Sequence, residues 1–214
     1  MRLLLLSLMV LYAGMAPAAD GLVVNDTTFD ARVAEAVAKR NVMHTHEDTL
    51  RYVSTIKSLY AENPADQRPF LLIAEYCYKR NDISMTREMV EWMLNSQPDD
   101  QRAWLLLAET EMTKNNFMEA AAAYRMALQK EGNEAEIKYN LALCLLNKAA
   151  LVNESDGGDK SLKTRCLDEA QEMLEAVRLC DPKRMRLDWV APLYTVYQMK
   201  GDRDKAEELK PFVH

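Results

Sequence analysis

The segment 101–134 reads QRAWLLLAETEMTKNNFMEAAAAYRMALQKEGNE, and its pattern decides the fold. Apolar residues recur at steps of three and four, which predicts two helices packed against each other as an antiparallel pair. Ala108 and Ala120 are small enough to let the two backbones come close, whereas Trp104 and Tyr124 fill the space towards the next pair. The segment therefore predicts a helical hairpin with an apolar stripe that it cannot bury by itself.

The same arrangement recurs along the chain at a fixed 34-residue interval. An apolar residue followed by alanine marks each unit, at Ile73-Ala74, Leu107-Ala108 and Leu141-Ala142. Pro64 and Pro98 are separated by the same interval, and Gly132 occupies the next such position. Proline and glycine both end helices, by blocking continuation and by permitting a left-handed cap. Because no single unit buries its own stripe, stability requires that the units stack.

This pattern resembles the tetratricopeptide repeat, in which an aromatic residue, leucine and a small residue precede alanine, a second aromatic residue, alanine and proline. The unit 101–134 departs from it only at Gly132, where the family usually has proline. The resemblance implies an all-α fold, a right-handed α-solenoid of antiparallel helix pairs with about four repeats and a degenerate N-terminal pair. A content of only 6 glycines among 214 residues also favours helices over a strand-and-turn fold.

The 34-residue interval divides the chain into segments. A linker and the degenerate helix pair are expected over 19–66, and the repeats over 67–214. The individual repeats are predicted at 67–100, 101–134, 135–186 and 187–214. The third contains a 16-residue insertion, because Ala170 follows Ala120 by more than one interval. We expect the insertion, near 149–165, to lengthen both helices by about two turns each, with Gly157-Gly158 at the tip.

Residues 1–18 are predicted to be a secretory signal peptide. Met1-Arg2 precede a short leucine-rich stretch, and Ala16-Pro17-Ala18 has the small residues of a cleavage site. The stretch is shorter than the ~20 residues that span a bilayer, so we expect no integral membrane segment once the signal is removed. Export to a bacterial periplasm is the favoured prediction, and secretion by a eukaryotic route is the alternative.

Composition narrows the class of protein further. Hydrophobic residues make up 49% of the chain, which is too apolar for a disordered protein. A net charge of −6 disfavours a nucleic-acid partner, because such affinity depends largely on lysine and arginine contacts to phosphates. The cysteines show no C-x-x-C spacing, and we expect four unpaired or buried thiols: Cys77, Cys144, Cys166 and Cys180.

The resemblance implies that the first helix of each unit lines a concave groove for a peptide or a partner protein. The predicted groove residues are Arg68, Leu71, Leu72, Glu75, Tyr78, Arg102, Leu105, Leu106, Glu109, Met112, Tyr139, Asn140, Leu143 and Asn147. The leucine content predicts apolar contacts. One subclass of the family clamps a carboxylate with basic residues and asparagines, but only Asn140 fits that pattern well. Alternatively, neighbouring helices or the N-terminal pair bury these leucines.

No motif for an enzyme is present, so we predict a non-enzymatic scaffold without cofactor or metal. The chain has no nucleophile elbow, phosphate-binding glycine loop or catalytic cysteine–histidine arrangement. His44 and His46 are the basis of one alternative, a metal-dependent activity, although no third ligand lies nearby and Asp48 is better interpreted as part of a helix start. A second alternative is self-association through a C-terminal face around Leu193 and Tyr197.

Overall fold

A computed structural model describes residues 28–129, 134–152, 159–183 and 187–213. Ten α-helices and one 3-10 turn make up the regular structure of these residues, and they contain no strand. The first pairs are α1 (Phe29–Lys39) with α2 (His46–Glu62), α3 (Gln67–Arg80) with α4 (Ile83–Ser96), and α5 (Gln101–Thr113) with α6 (Phe117–Leu128). They are followed by α7 (Glu134–Leu151), α8 (Lys160–Cys180), α9 (Val190–Lys200), α10 (Arg203–Leu209) and the turn Lys210–Phe212. The predicted all-helical class is confirmed.

The helices pack consecutively, each against the next along the chain. Contacts between α1 and α3, and between α7 and α9, also join the first helices of neighbouring pairs. Short connections reverse the chain between successive helices, so α3, α5 and α7 run in the same direction. Their side chains at equivalent positions therefore lie in rows across the molecule.

Aspartates begin most of these helices. Asp66, Asp82, Asp100, Asp159 and Asp202 each accept a hydrogen bond from a backbone N–H of the following turn. Such caps satisfy donors that have no partner inside the helix. The predicted helix start near Asp48 is also present, but Thr45 is the cap and Asp48 completes a reciprocal capping box three residues later.

The turns inside the pairs repeat the same backbone conformation. Asn81 and Asn115, which occupy equivalent positions of successive units, adopt left-handed φ values of 50° and 60°. Gly201 does the same in the last pair with a φ of 78°. Asparagine and glycine tolerate this region better than other residues. The chain thus uses a left-handed residue to end the first helix in three pairs.

Two apolar cores meet at α5. The N-terminal core lies among α1 to α5 and includes Ile56, Ile73 and Leu106. The C-terminal core runs from α5 to α10 and includes Tyr124 and Leu174. Leu107 is half-buried and packs against both cores. Stacking through α5 therefore links the two halves of the described chain.

Helices α5 and α6 lie much closer together than α3 and α4. The backbones of α5 and α6 come within 8 Å along much of their length, whereas α3 and α4 do so at few points. Ala108, Ala120 and Ala127 are fully buried at the tight interface. Thr86 and Met93, which occupy the positions of Ala120 and Ala127 in the preceding unit, are fully buried between the more distant helices. Side-chain volume sets this separation.

The α7/α8 pair is the longest that the structure describes. Helices α7 and α8 contain 18 and 21 residues, compared with 13 and 12 in α5 and α6. This extension agrees with the insertion expected near 149–165. Gly157-Gly158 lie outside the described residues, as do Gly132 and the predicted signal peptide.

All four cysteines are free, as expected. Cys77, Cys144 and Cys166 are buried, and Cys180 is exposed at the end of α8. Burial raises the pKa of the Cys77 thiol to about 11 and that of the Cys144 thiol to about 12. These two groups therefore behave as small apolar side chains and not as nucleophiles.

Within the described ranges, no helix is both long and apolar enough to span a membrane.

Candidate functional site

Three rows of side chains cross α3, α5 and α7 on the predicted groove face. Each row takes one residue from the same position of three successive units, and the three rows are Leu71, Leu105 and Tyr139; Glu75, Glu109 and Leu143; and Tyr78, Met112 and Leu146. Eight of these nine side chains are half-buried, and the ninth, Tyr78, is 48% exposed. We call them the groove rows. Their apolar members lie partly open to solvent, which distinguishes them from the residues of the two cores.

Two of the predicted groove residues are instead part of the core. Leu72 is 1% exposed and Leu106 is 8% exposed, and both belong to the N-terminal core. Neighbouring helices cover this position in both units, whereas Asn140, at the same position of the next unit, is half-buried. Neither leucine side chain is available to a partner in this conformation.

The two predicted arginines are held at helix starts. Arg68 pairs with Asp66 at 2.6 Å and with Asp30 of α1 at 2.6 Å, while Arg102 pairs with Asp100 at 2.7 Å and donates to the Pro64 carbonyl at 2.7 Å. The Arg68 guanidinium lowers the pKa of Asp66, opposed by burial. Asp100 keeps a lowered pKa despite burial, because Arg102 and Tyr60 donate to it. The arginine–aspartate contact recurs at the same position of both units, which marks it as part of the scaffold.

The polar groove residues of α7 have different environments. Tyr139 donates to the Asp188 carbonyl at 3.3 Å, which ties α7 to the segment before α9. Asn147 is exposed and donates to the Leu143 carbonyl of its own helix at 2.8 Å. Asn140 is half-buried, and its Oδ1 is shielded from solvent without accepting a hydrogen bond from any described residue.

Glu75 and Glu109 occupy the same position in successive units but differ in their partners. Glu75 lies 2.7 Å from the Lys79 ammonium and 3.7 Å from the Arg40 guanidinium. Glu109 forms no hydrogen bond and no ion pair with any part of the chain that the structure describes. Burial alone raises the pKa of Glu109 to about 7, because no nearby cation stabilises its charged form.

Tyr124 of α6 lies within electrostatic range of Glu109. It is fully buried on α6, and its pKa is raised first by burial, then by the charge of Glu109 and by Cys144. Glu109 on α5 and Cys144 on α7 are therefore both within electrostatic range of the Tyr124 hydroxyl. The Met112 and Cys144 sulfurs also lie 3.0 Å apart, joining α5 directly to α7.

Glu111, two positions further along α5, illustrates how a buried carboxylate is normally satisfied in this fold. It is 1% exposed, accepts from Arg87 of α4 at 2.5 Å, and accepts from Asn116 at 2.8 Å. This link between neighbouring pairs was not predicted from the sequence. A glutamate within an apolar helical stripe was the available signal.

The residues on which the metal-dependent and self-association alternatives depend lie outside the groove rows. His44 precedes α2 and His46 is its first residue; both are exposed, and His46 borders a surface cavity of about 470 Å³ between α2, α3 and α4. The described residues contain no group of three His, Cys, Asp or Glu side chains suited to a metal ion. Leu193 and Tyr197 are buried in the C-terminal core, so these two side chains are not available to a second copy.

No protein-family model matches this chain, and no curated protein has a similar sequence. The tetratricopeptide resemblance accordingly rests on the residues and spacing of the chain itself.

Proposed function

We propose that this protein is an exported, non-enzymatic scaffold of the tetratricopeptide type that binds a peptide or a partner protein along its groove rows. The observation that carries the proposal is the set of half-buried apolar side chains on α3, α5 and α7. Leu71, Leu105 and Tyr139 form one row, and Leu143 and Met112 add apolar surface in the other two rows. In a monomer, apolar side chains aligned across three helices indicate an interaction surface.

The proposal includes a right-handed solenoid of about four repeats. The equivalent positions of the left-handed Asn81 and Asn115, and the matching caps at Asp66 and Asp100, support repetition in the units that begin at Gln67 and Gln101. Consecutive packing of the helices supports a stacked arrangement. Export, to a periplasm first and otherwise to a secretory route, rests on the leader sequence Met1–Ala18.

A photo-crosslinking experiment tests the groove in cells of the source organism. The photoreactive residue p-benzoylphenylalanine replaces Leu105 in one strain, and in a control strain it replaces Glu119, which is exposed on α6. We expect irradiation to give a discrete crosslinked species at position 105 and none at position 119. Circular dichroism of both purified proteins checks that the helices are intact.

A second substitution makes the result specific to the groove. Leu143→Asp places a charge in the neighbouring row, so it should abolish the crosslink at position 105 without changing helicity, because burying a carboxylate against an apolar partner costs binding energy. A crosslink that survives Leu143→Asp, or that forms equally at position 119, would contradict the groove proposal. Leu106→Asp is unsuitable here because Leu106 belongs to the N-terminal core.

A further inference from the structure

Glu109 is a carboxylate that the described part of the chain leaves without a counter-charge. One turn further along α5, the position that holds Lys79 for Glu75 is occupied by Thr113. The Thr113 hydroxyl donates to the Thr110 carbonyl and not to Glu109. The neighbouring residues in the groove rows, Leu105 and Met112, are apolar. Glu109 thus remains half-buried, acidic and unpaired among the described residues.

Helix register brings a second unsatisfied acceptor, Asn140 Oδ1, to the same side of the stack as Glu109. The sulfur contact of 3.0 Å between Met112 and Cys144 fixes the relative position of α5 and α7. Glu109 precedes Met112 by three residues, and Asn140 precedes Cys144 by four, so each lies about one helical turn, ~5 Å, back from that contact. Because α5 and α7 run in the same direction, both residues lie on the same side of it. The buried Asn140 Oδ1 has no donor among the described residues.

The two acceptors without donors, on Glu109 and Asn140, indicate which chemical group a ligand in the groove would need to supply. Burying a carboxylate without a partner is costly, and a cationic donor is the group that offsets this cost most strongly. The side chains around the acceptors, Leu105, Met112 and Leu143, are apolar and match the methylene stem of a long basic side chain. One carboxylate and one amide oxygen are too few ligands for a calcium or magnesium ion.

We propose that the groove receives an extended peptide segment whose lysine or arginine side chain is held by Glu109 and Asn140, with apolar residues of the segment on either side of it. This inference rests on the groove function proposed above and specifies the partner's chemistry. The basic side chain supplies the donors that Lys79 and Arg40 supply to Glu75 one unit earlier.

A phage-displayed library of random short peptides provides the probe. It is selected separately on the full wild-type chain and on the variants Glu109→Gln, Glu75→Gln and Leu105→Asp, each checked for helicity by circular dichroism. Glu75→Gln is the matched control, since it removes a carboxylate at the same position one unit away. We expect wild type and Glu75→Gln to enrich peptides with a basic residue between apolar ones, and Glu109→Gln to lose the basic preference.

Titration calorimetry with the best wild-type peptide then measures the ion pair directly. Replacing its basic residue with norleucine should weaken binding to wild type by about tenfold or more, and should change binding to Glu109→Gln far less. This non-additivity is the expected signature of a direct pairing.

The outcomes separate the two proposals. Enriched peptides that are apolar, without a basic position and alike on wild type and Glu109→Gln, would overturn the cation inference and leave the groove function standing. If norleucine weakened peptide binding equally for wild type and Glu109→Gln, the cation inference would likewise be overturned and the groove function would stand. Failure of wild type to enrich any peptide over Leu105→Asp would overturn the groove function and the cation inference together.

Discussion

The helix pairs α3/α4 and α5/α6 share one 34-residue frame but differ in how closely their helices pack. Both pairs begin with an aspartate cap, Asp66 or Asp100, and both turns contain a left-handed asparagine, Asn81 or Asn115. The interfaces differ because Thr86 and Met93 stand where the α5/α6 pair has Ala120 and Ala127. The 34-residue interval therefore sets the order and direction of the helices, whereas side-chain volume sets the distance between them.

The same two pairs also differ in charge at one equivalent position. Glu75 is neutralised by Lys79 on its own helix and by Arg40 at the end of α1. Glu109 has neither partner, because the corresponding residue on its helix is Thr113. A repeat that is regular in backbone is therefore irregular in electrostatics, and this irregularity gives α5 its candidate binding chemistry.

Met93→Ala should destabilise the folded chain more than any other substitution considered for these two helix pairs. The change removes a fully buried side chain from the widely spaced interface of α3 and α4, so it leaves a cavity that these helices cannot readily close. We expect a loss of about 2–5 kcal/mol in the free energy of unfolding, measured by urea denaturation. Met85→Ala, at a half-buried position of the same helix, is the control and should cost less. Equal losses would show that α3 and α4 are not held apart by Met93.

Ala127→Met makes the converse change in the closely packed pair. It introduces the side chain that α4 carries at this position into an interface that has no room for it, so we expect a loss of about 1–3 kcal/mol by urea denaturation. Ala122→Met, exposed on the same helix, should stay within about 0.5 kcal/mol of wild type. A neutral Ala127→Met would contradict the claim that alanine sets the spacing of α5 and α6.

Glu109→Gln should alter the pH dependence of stability. The pKa of Glu109 is about 7 in the folded chain against an ordinary 4.5, so the unfolded chain ionises first. Wild type therefore loses stability as the pH rises from about 4.5 to about 7, and the loss is complete above that. Glu109→Gln should not lose stability in this way, because the glutamine amide carries no charge in either the folded or the unfolded chain.

Denaturation of both proteins at about pH 4 and about pH 8 checks this expectation. We expect the stability of Glu109→Gln relative to wild type to be greater at the higher pH, by on the order of 1–2 kcal/mol. Tyr124 and Cys144 have raised pKa values and remain neutral throughout this range. An identical pH profile for the two proteins would mean that Glu109 is solvated or paired.

Glu75→Gln should have the smallest effect. Its partners are a half-exposed lysine and a partly exposed arginine, and ion pairs of this kind contribute little because water screens them. We expect a change of less than about 1 kcal/mol in the free energy of unfolding, measured alongside Glu109→Gln. A larger loss would indicate that Arg40 and Glu75 are essential for docking α1 against α3.

Much of the fold could be predicted from the spacing of residues. Apolar periodicity predicted the helix pairs from Gln67 onwards, and the late Ala170 indicated the longer α7/α8 pair. The groove could be predicted less completely, because periodicity identifies a face of a helix but not the neighbour that covers it. Neighbouring helices bury Leu72 and Leu106, which periodicity alone could not predict. The predicted groove arginines, Arg68 and Arg102, pair with aspartates at the starts of their own helices.

The sequence by itself determined the helices, the turns between them and the interval at which they repeat, because these depend on local periodicity, capping and backbone preference. Tertiary structure alone decided which equivalent residues differ in environment. Glu75 lies 3.7 Å from Arg40 of a distant part of the chain, while Glu109 has no ion-pair partner among the described residues and burial raises its pKa. Such differences depend on distances between helices, and those distances follow from the packing of whole side chains across the stack.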